Sequence, residues 1–248
     1  MKRILFVLLA ITALTSCLKK EPEDQKGTIR IDMVARVEGE PFELGEIYTN
    51  VLTDRYWTEI FKAYVSNIRA HRMDGSSELL AQVFLANFDG GNTVYAEVDP
   101  GTFSGLSFGI GVPEELNKGN DPSQYPNDHP LSAIGSEGMF WTWNSGYIFT
   151  MFQGKADTLD GQDVTPLHPF AYHCGEDFLY IDKSYDTEFT LEACKTKTFT
   201  IVFDVDRFWY SQSDTLDVAK DYLTHTSGNV ELAERCTAFI EEAVHLEE

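Results

Sequence analysis

Basic residues are scarce: Lys and Arg number 19 against 40 Asp and Glu, for a formal charge of −21. A surface that acidic repels phosphate backbones and anionic headgroups, which argues against a nucleic-acid partner. The apolar run at the amino terminus, Ile4 to Leu14, falls short of the ~20 residues a membrane-spanning helix needs. Cysteine is sparse, at 4 in 248 residues, and no CxxC or paired Cys/His spacing points to a zinc site. A P-loop, a dinucleotide fingerprint and an HExxH helix are also missing. What is present is core material. At 43% hydrophobic and 13% aromatic, the chain is no disordered acidic tail and needs no disulfide framework to fold.

The amino terminus reads as an address. Lys2 and Arg3 precede the apolar run, and Leu14-Thr15-Ser16-Cys17 resembles a bacterial lipobox. Residues 1–17 are therefore expected to be a lipoprotein signal peptide, with Cys17 accepting the lipid that anchors the chain to a membrane. Residues 18–26 are charged and lack apolar periodicity, which predicts a flexible tether. Lysines followed by acids here also look like a surface-export signal, so the expected location is the outer membrane, facing either the periplasm or the outside.

Residues 27–248 show no repeat or linker that would divide them, and they read as one domain. Ile29, Ile31, Met33, Ala35 and Val37 alternate with mostly polar neighbours, the signature of a half-buried strand. Leu79 to Ala86 and Thr93 to Val98, joined through Asp89-Gly90-Gly91-Asn92, predict a hairpin. Further strands are expected at Phe103–Val112, Met139–Phe152, Phe170–His173 and Phe199–Val205, while Phe61–Met73 fits strand or helix. Only the last segment is plainly helical: Asn229 can cap it, and Leu232, Cys236, Phe239, Ile240 and Ala243 form one stripe. The sum is an all-β fold, an antiparallel β-sandwich with a C-terminal α-helix.

Catalytic constellations fail on inspection. Gly105-Leu106-Ser107-Phe108-Gly109 matches the esterase pattern, but its serine lies within a strand-like run instead of a strand-to-helix elbow. Asp157 to Asp163 looks like a calcium loop, yet Leu159 stands where an oxygen ligand belongs. Apart from Cys17, three cysteines remain; Cys236 sits on the helix stripe, which makes Cys174–Cys194 the expected disulfide. The unusual stretch is Met139 to Phe149, where Met139, Trp141 and Trp143 would share one strand face. From composition it reads as a sandwich-core strand with aromatic payload; the alternative sets the Met139 thioether near possible imidazole ligands, a pairing that favours copper, especially Cu(I), over hard cations.

This stretch carries a resemblance. Lys62 to Arg69 with Asp74-Gly75, Gly105 to Val112, Met139 to Phe149, Tyr172-His173-Cys174-Gly175 and Val202 to Asp206 occur in the order found in the MbnP-like, methanobactin-associated copper-binding proteins. The resemblance implies an exported β-sandwich that binds copper without catalytic turnover. Some relatives hold the metal with two histidines and a tryptophan oxidised to kynurenine by a dihaem peroxidase-like partner. Carried over by motif, it makes His173 the first ligand candidate, His225 the second and His129 the third. Trp141 or Trp143 is the candidate for oxidation to kynurenine or for a copper-adjacent place, with Met139 on the same strand face as a further copper-adjacent candidate. No histidine adjoins either tryptophan, a departure from the simplest copper pattern. The alternative is a metal-free sandwich whose loops bind a glycan or a protein.

Overall fold

The computed structural model describes residues 25–143, 146–157 and 166–248. The lipobox with Cys17, the tether up to residue 24 and most of the Asp157–Asp163 loop lie outside the described residues. The main strands are β1 (Gly27–Val37), β2 (Arg55–Arg72), β3 (Ser77–Asn87), β4 (Asn92–Val98), β5 (Gly101–Ile110) and β6 (Thr150–Ala156). They continue with β7 (His168–Cys174), β8 (Ile181–Tyr185), β9 (Thr196–Asp204), β10 (Leu223–Thr224) and β11 (Val244–Glu247). A helix, Val230–Ala243, precedes the last of them.

Two sheets face each other. In the smaller, β1 lies between parallel β9 and antiparallel β4, and β11 pairs with the far edge of β9. The larger runs β8-β5-β2-β6-β7-β10, with β3 also paired to the long strand β2. Alternation decides what lies between them. Ile29, Ile31 and Met33 of β1 and Phe199, Ile201 and Phe203 of β9 turn inward, meeting Phe61, Phe152, Phe170 and Tyr172. The C-terminal helix adds Leu232, Cys236, Phe239, Ile240 and Ala243 to the same core, and Asn229 Oδ1 caps it by accepting from the Leu232 N–H at 3.2 Å. Among the described residues, no helix is long and apolar enough to cross a membrane.

Three expectations need correction. First, β3 and β4 do not form a hairpin: β3 pairs with β2 in one sheet and β4 with β1 in the other. The turn is tight, since Asn92 Oδ1 accepts from Asn87 N at 2.9 Å and its amide donates to the Asn87 carbonyl, but it steps between layers. Alternation reports a strand's buried face and not its partner. Second, the sheets are mixed, because β1–β9 and β7–β10 are parallel. Strands so remote in sequence are free of the hairpin geometry that enforces antiparallel pairing. Third, Met139–Phe152 is not one strand. Phe140–Trp141 and Gly146–Tyr147 form a separate small ladder, and β6 begins only at Thr150.

Phe61–Met73 resolves as the greater part of β2, and its burial explains the ambiguity. Residues Ala63 to Ser66 are buried on both faces. The inner face belongs to the sandwich core. The outer face is covered by the chain between β5 and β6, which packs Val112, Leu131, Met139, Trp141, Tyr147, Ile148 and Phe149 against Tyr64 and Met151. Tyr64 Oη donates to the Pro130 carbonyl at 2.8 Å and Tyr147 Oη to Leu131 at 2.6 Å, so this second apolar layer is pinned as well as packed.

Phe61 is fully buried, stacks on Phe88 at 4.2 Å and meets Phe152, Phe203 and Phe208 edge-on. Phe61→Ala should therefore lower unfolding stability by about 3–5 kcal/mol, read from urea titration with an unchanged slope.

Candidate metal centre

Strand alternation on β7 separates packing from chemistry. Phe170, Tyr172 and Cys174 enter the sandwich core, which turns Ala171 and His173 to the outer face. Two neighbours then converge on His173. On β6, Met151 stands directly opposite it, and directly opposed side chains share a face with Cβ atoms about 5 Å apart. On the other side, β10 runs parallel to β7 with Tyr172 beside Thr224, so the next residue, His225, arrives beside His173. The two imidazole centroids lie 4.7 Å apart at 63°.

Hydroxyls hold this register beyond the end of the ladder. Thr226 Oγ1 donates to the His173 carbonyl at 3.1 Å and accepts from the Gly175 N–H at 3.0 Å. Thr226 itself is buried and adopts φ +56°, a conformation uncommon for a β-branched residue. Its own N–H is taken up by Thr224 Oγ1, which in turn donates to the Asn229 carbonyl at the helix cap.

Trp141 borders the same loop. A Cβ on Gly175 would run into the Tyr147 carbonyl oxygen and sit 3.0 Å from Trp141 Cζ3, so only glycine lets the indole lie this close to the His173 segment. Trp141 is 6% exposed, whereas Trp143 is 61% exposed and tilts against it at 5.4 Å. The expected common face of Met139, Trp141 and Trp143 is therefore split, and Met139 is fully buried in the second apolar layer.

The electrostatics suit a neutral ligand. His173 Nε2 is 2.8 Å from Gln153 Oε1. An amide oxygen only accepts, so Nε2 carries the proton and Nδ1 keeps its lone pair. Burial, reinforced by the neighbouring His225, pushes the His173 pKa down to about 4. Two imidazoles with a thioether directly across the ladder make a soft donor set of the kind Cu(I) prefers. The amide on Nε2 is the kind of outer partner that orients a ligating histidine.

The remaining candidates lie elsewhere. His129 stacks on Tyr125 at 4.4 Å, and its Nδ1 accepts the Leu131 N–H at 3.1 Å, so its lone pair already serves the loop. Among the described residues, no three His, Cys, Asp or Glu side chains gather around one point, and His129 does not join the pair. Cys174 and Cys194 are not bridged. Cys174 is buried, whereas Cys194 is exposed and donates to Gln25 Oε1. Ser107 of the esterase-like pattern is bonded to His71 Nε2 at 2.7 Å across two strands of a sheet, with no elbow. Gly109 of that pattern leaves room for the Tyr180 hydroxyl, which meets Ser66 at 2.9 Å.

The family model of MbnP matches residues 26–230. The chain belongs to the MbnP family. Among solved structures it is similar to MbnP from Methylosinus trichosporium, with a TM-score of 0.50 and 14% identity over 77% of this chain and 80% of that one. At that identity the likeness speaks for the fold alone. No curated protein matches. Met151 is the residue the sequence did not reveal: it sits in an ordinary strand pattern, and only the β6–β7 register sets it opposite His173.

Two measurements probe this region. Thr226→Val keeps the shape but strips a partner from two backbone groups, and should cost about 2–4 kcal/mol in urea unfolding. For metal-free protein, the depressed His173 pKa means the unfolded chain binds the extra proton between pH 6.5 and about 4. The stability His173 contributes is thus complete above pH 6.5 and lost as pH falls toward 4. Subtracting the profile of His173→Gln from that of the unaltered protein should isolate this loss.

Proposed function

We propose that this MbnP-family chain is a copper-binding protein that sequesters or hands over Cu(I) without turnover. The supporting observation is the pairing of the His173 and His225 rings at 4.7 Å, with Met151 directly across the ladder from His173. In this reading His173 offers Nδ1 while Gln153 holds Nε2, His225 supplies the second nitrogen, and Met151 supplies a thioether. Trp141 is the indole adjoining copper, and the exposed Trp143 beside it is the surface a dihaem peroxidase-like partner would meet. A formal charge of −21 raises the local concentration of cations around the molecule. The lipobox reading adds the setting: a lipoprotein anchored through Cys17 to the bacterial outer membrane.

A second reading is favoured by a specific observation. Met139 and Trp141 are sealed among apolar neighbours, as they would be in a metal-free module that binds a glycan or a protein through its loops. Competition with a chromogenic Cu(I) chelator separates the two. His173→Ala and His225→Ala should each weaken Cu(I) binding on the order of a hundredfold, Met151→Leu about tenfold, and His129→Ala not measurably. Unchanged affinity in both histidine variants would discard the copper reading in favour of the second.

A further inference from the structure

Cys174 and Cys236 are the buried nucleophiles to which the copper reading gives no role. Cys174 ends β7, one residue after His173, and Cys236 lies on the C-terminal helix. Both belong to the sandwich core, and Cys174 borders the same void as Thr237 and Ile240, helix residues one position and one turn beyond Cys236. Cys194, by contrast, is exposed at a turn with φ +59° and bonded to Gln25. We propose that Cys174 and Cys236 are a cross-linking site, a dithiol that oxidises to a disulfide joining the histidine-bearing strand to the C-terminal helix.

The chemistry of the surroundings selects this product. Burial and the neighbouring Cys174 push the Cys236 thiol well up, and both side chains lie in a dry core. A metal dithiolate would place negative charge there. The nearby cation, Arg235, is already held by Asp214 at 2.6 Å and Asp221 at 3.0 Å. A disulfide carries no charge and leaves no donor unpaired. A narrow void beside Cys174, lined also by Phe149, Leu179, Thr237 and Ile240, lies between the end of its strand and the helix that carries Cys236. The oxidant is a disulfide compound, small molecule or protein. One of its sulfurs forms a transient mixed disulfide, the second cysteine displaces it, and two new thiols leave with the two protons and two electrons. Because the sulfurs are buried, exchange proceeds during folding or a local opening that frees the helix.

The bond has a geometric consequence. It closes a covalent ring from residue 174 to residue 236 that contains His225 and Thr226, while His173 stands immediately outside one end. Both imidazoles are then tethered to the same ring. The inference is independent of copper, since its readout is a covalent bond.

The test uses the full chain, either reduced or equilibrated with oxidised glutathione, denatured in alkylating agent and peptide-mapped. The expected product is one linked peptide pair containing Cys174 and Cys236, with Cys194 carrying glutathione or alkylated but joined to neither, and a melting temperature about 5–15 °C above that of the reduced protein. Cys236→Ala should abolish that redox-dependent rise and leave Cys174 alkylated. Recovery of Cys174 linked to Cys194, or of Cys174 and Cys236 both alkylated after oxidation, overturns the proposal. So does Cu(I) protecting both thiols of the reduced protein from alkylation, which would make them metal ligands instead.

Discussion

The Thr226 hydroxyl is the contact on which the paired imidazoles depend. The β7–β10 ladder is only two residues long and ends before His173 and His225. Without further restraint, the chain carrying His225 would be free to peel away. Thr226 prevents this by bonding the backbone on both sides of Cys174, giving to the His173 carbonyl and taking from the Gly175 N–H. Its left-handed φ costs on the order of 1 kcal/mol or more, a strain that two buried backbone groups left without partners would exceed. Thr224 extends the same chain of bonds to the carbonyl of Asn229, the residue that caps the terminal helix. Strand, histidine loop and helix thus behave as one unit.

That unit would be of little consequence on a bare sheet. The larger sheet is covered on its outer face by the chain between β5 and β6, which builds a second apolar layer against Tyr64 and Met151. Lys62, beside that layer, is tied to Glu137 at 2.9 Å, and the Phe149 N–H bonds the Cys174 carbonyl at 2.7 Å. The covering segment is therefore fastened to the same strand end that carries His173. It also explains the glycine at 175, where the backbone must accept both the Tyr147 carbonyl and the Trp141 ring.

Much of the scaffold was legible in the sequence because its elements obey local rules. The alternation of Ile29, Ile31 and Met33 and the stripe of Leu232, Cys236, Phe239 and Ile240 each report a buried face directly. Pairing is a different matter. The Asn87–Asn92 turn looks like a hairpin whether it returns to the same sheet or crosses to the other, and here it crosses. The site is harder still. His173 and His225 entered through family resemblance, since nothing in their spacing says that residues so far apart come side by side. Met151 carried no signal at all, and setting Cys236 aside as a core residue of the helix left Cys174 to Cys194, a pair the fold leaves unbridged with one thiol buried and the other exposed. Trp141 and Trp143, equal by alternation, are separated by a short ladder that buries one and exposes the other.

The placement of the histidines at a boundary follows from these layers. On one side lies the dry cluster of Met151, Trp141 and Phe149; on the other, Leu223 and Tyr222 are open to solvent. The dry side keeps the His173 imidazole unprotonated across the ordinary pH range, because charging it there is opposed by burial and by its neighbour. The wet side leaves a route by which a ligand can arrive. A histidine deeper in the layer would lose that route, and one fully in solvent would spend much of its time protonated below pH 6.5 and unable to donate a lone pair. Half-burial at the edge of a second core satisfies both demands, and it requires that the covering segment stop where it does, at the Gly175 backbone.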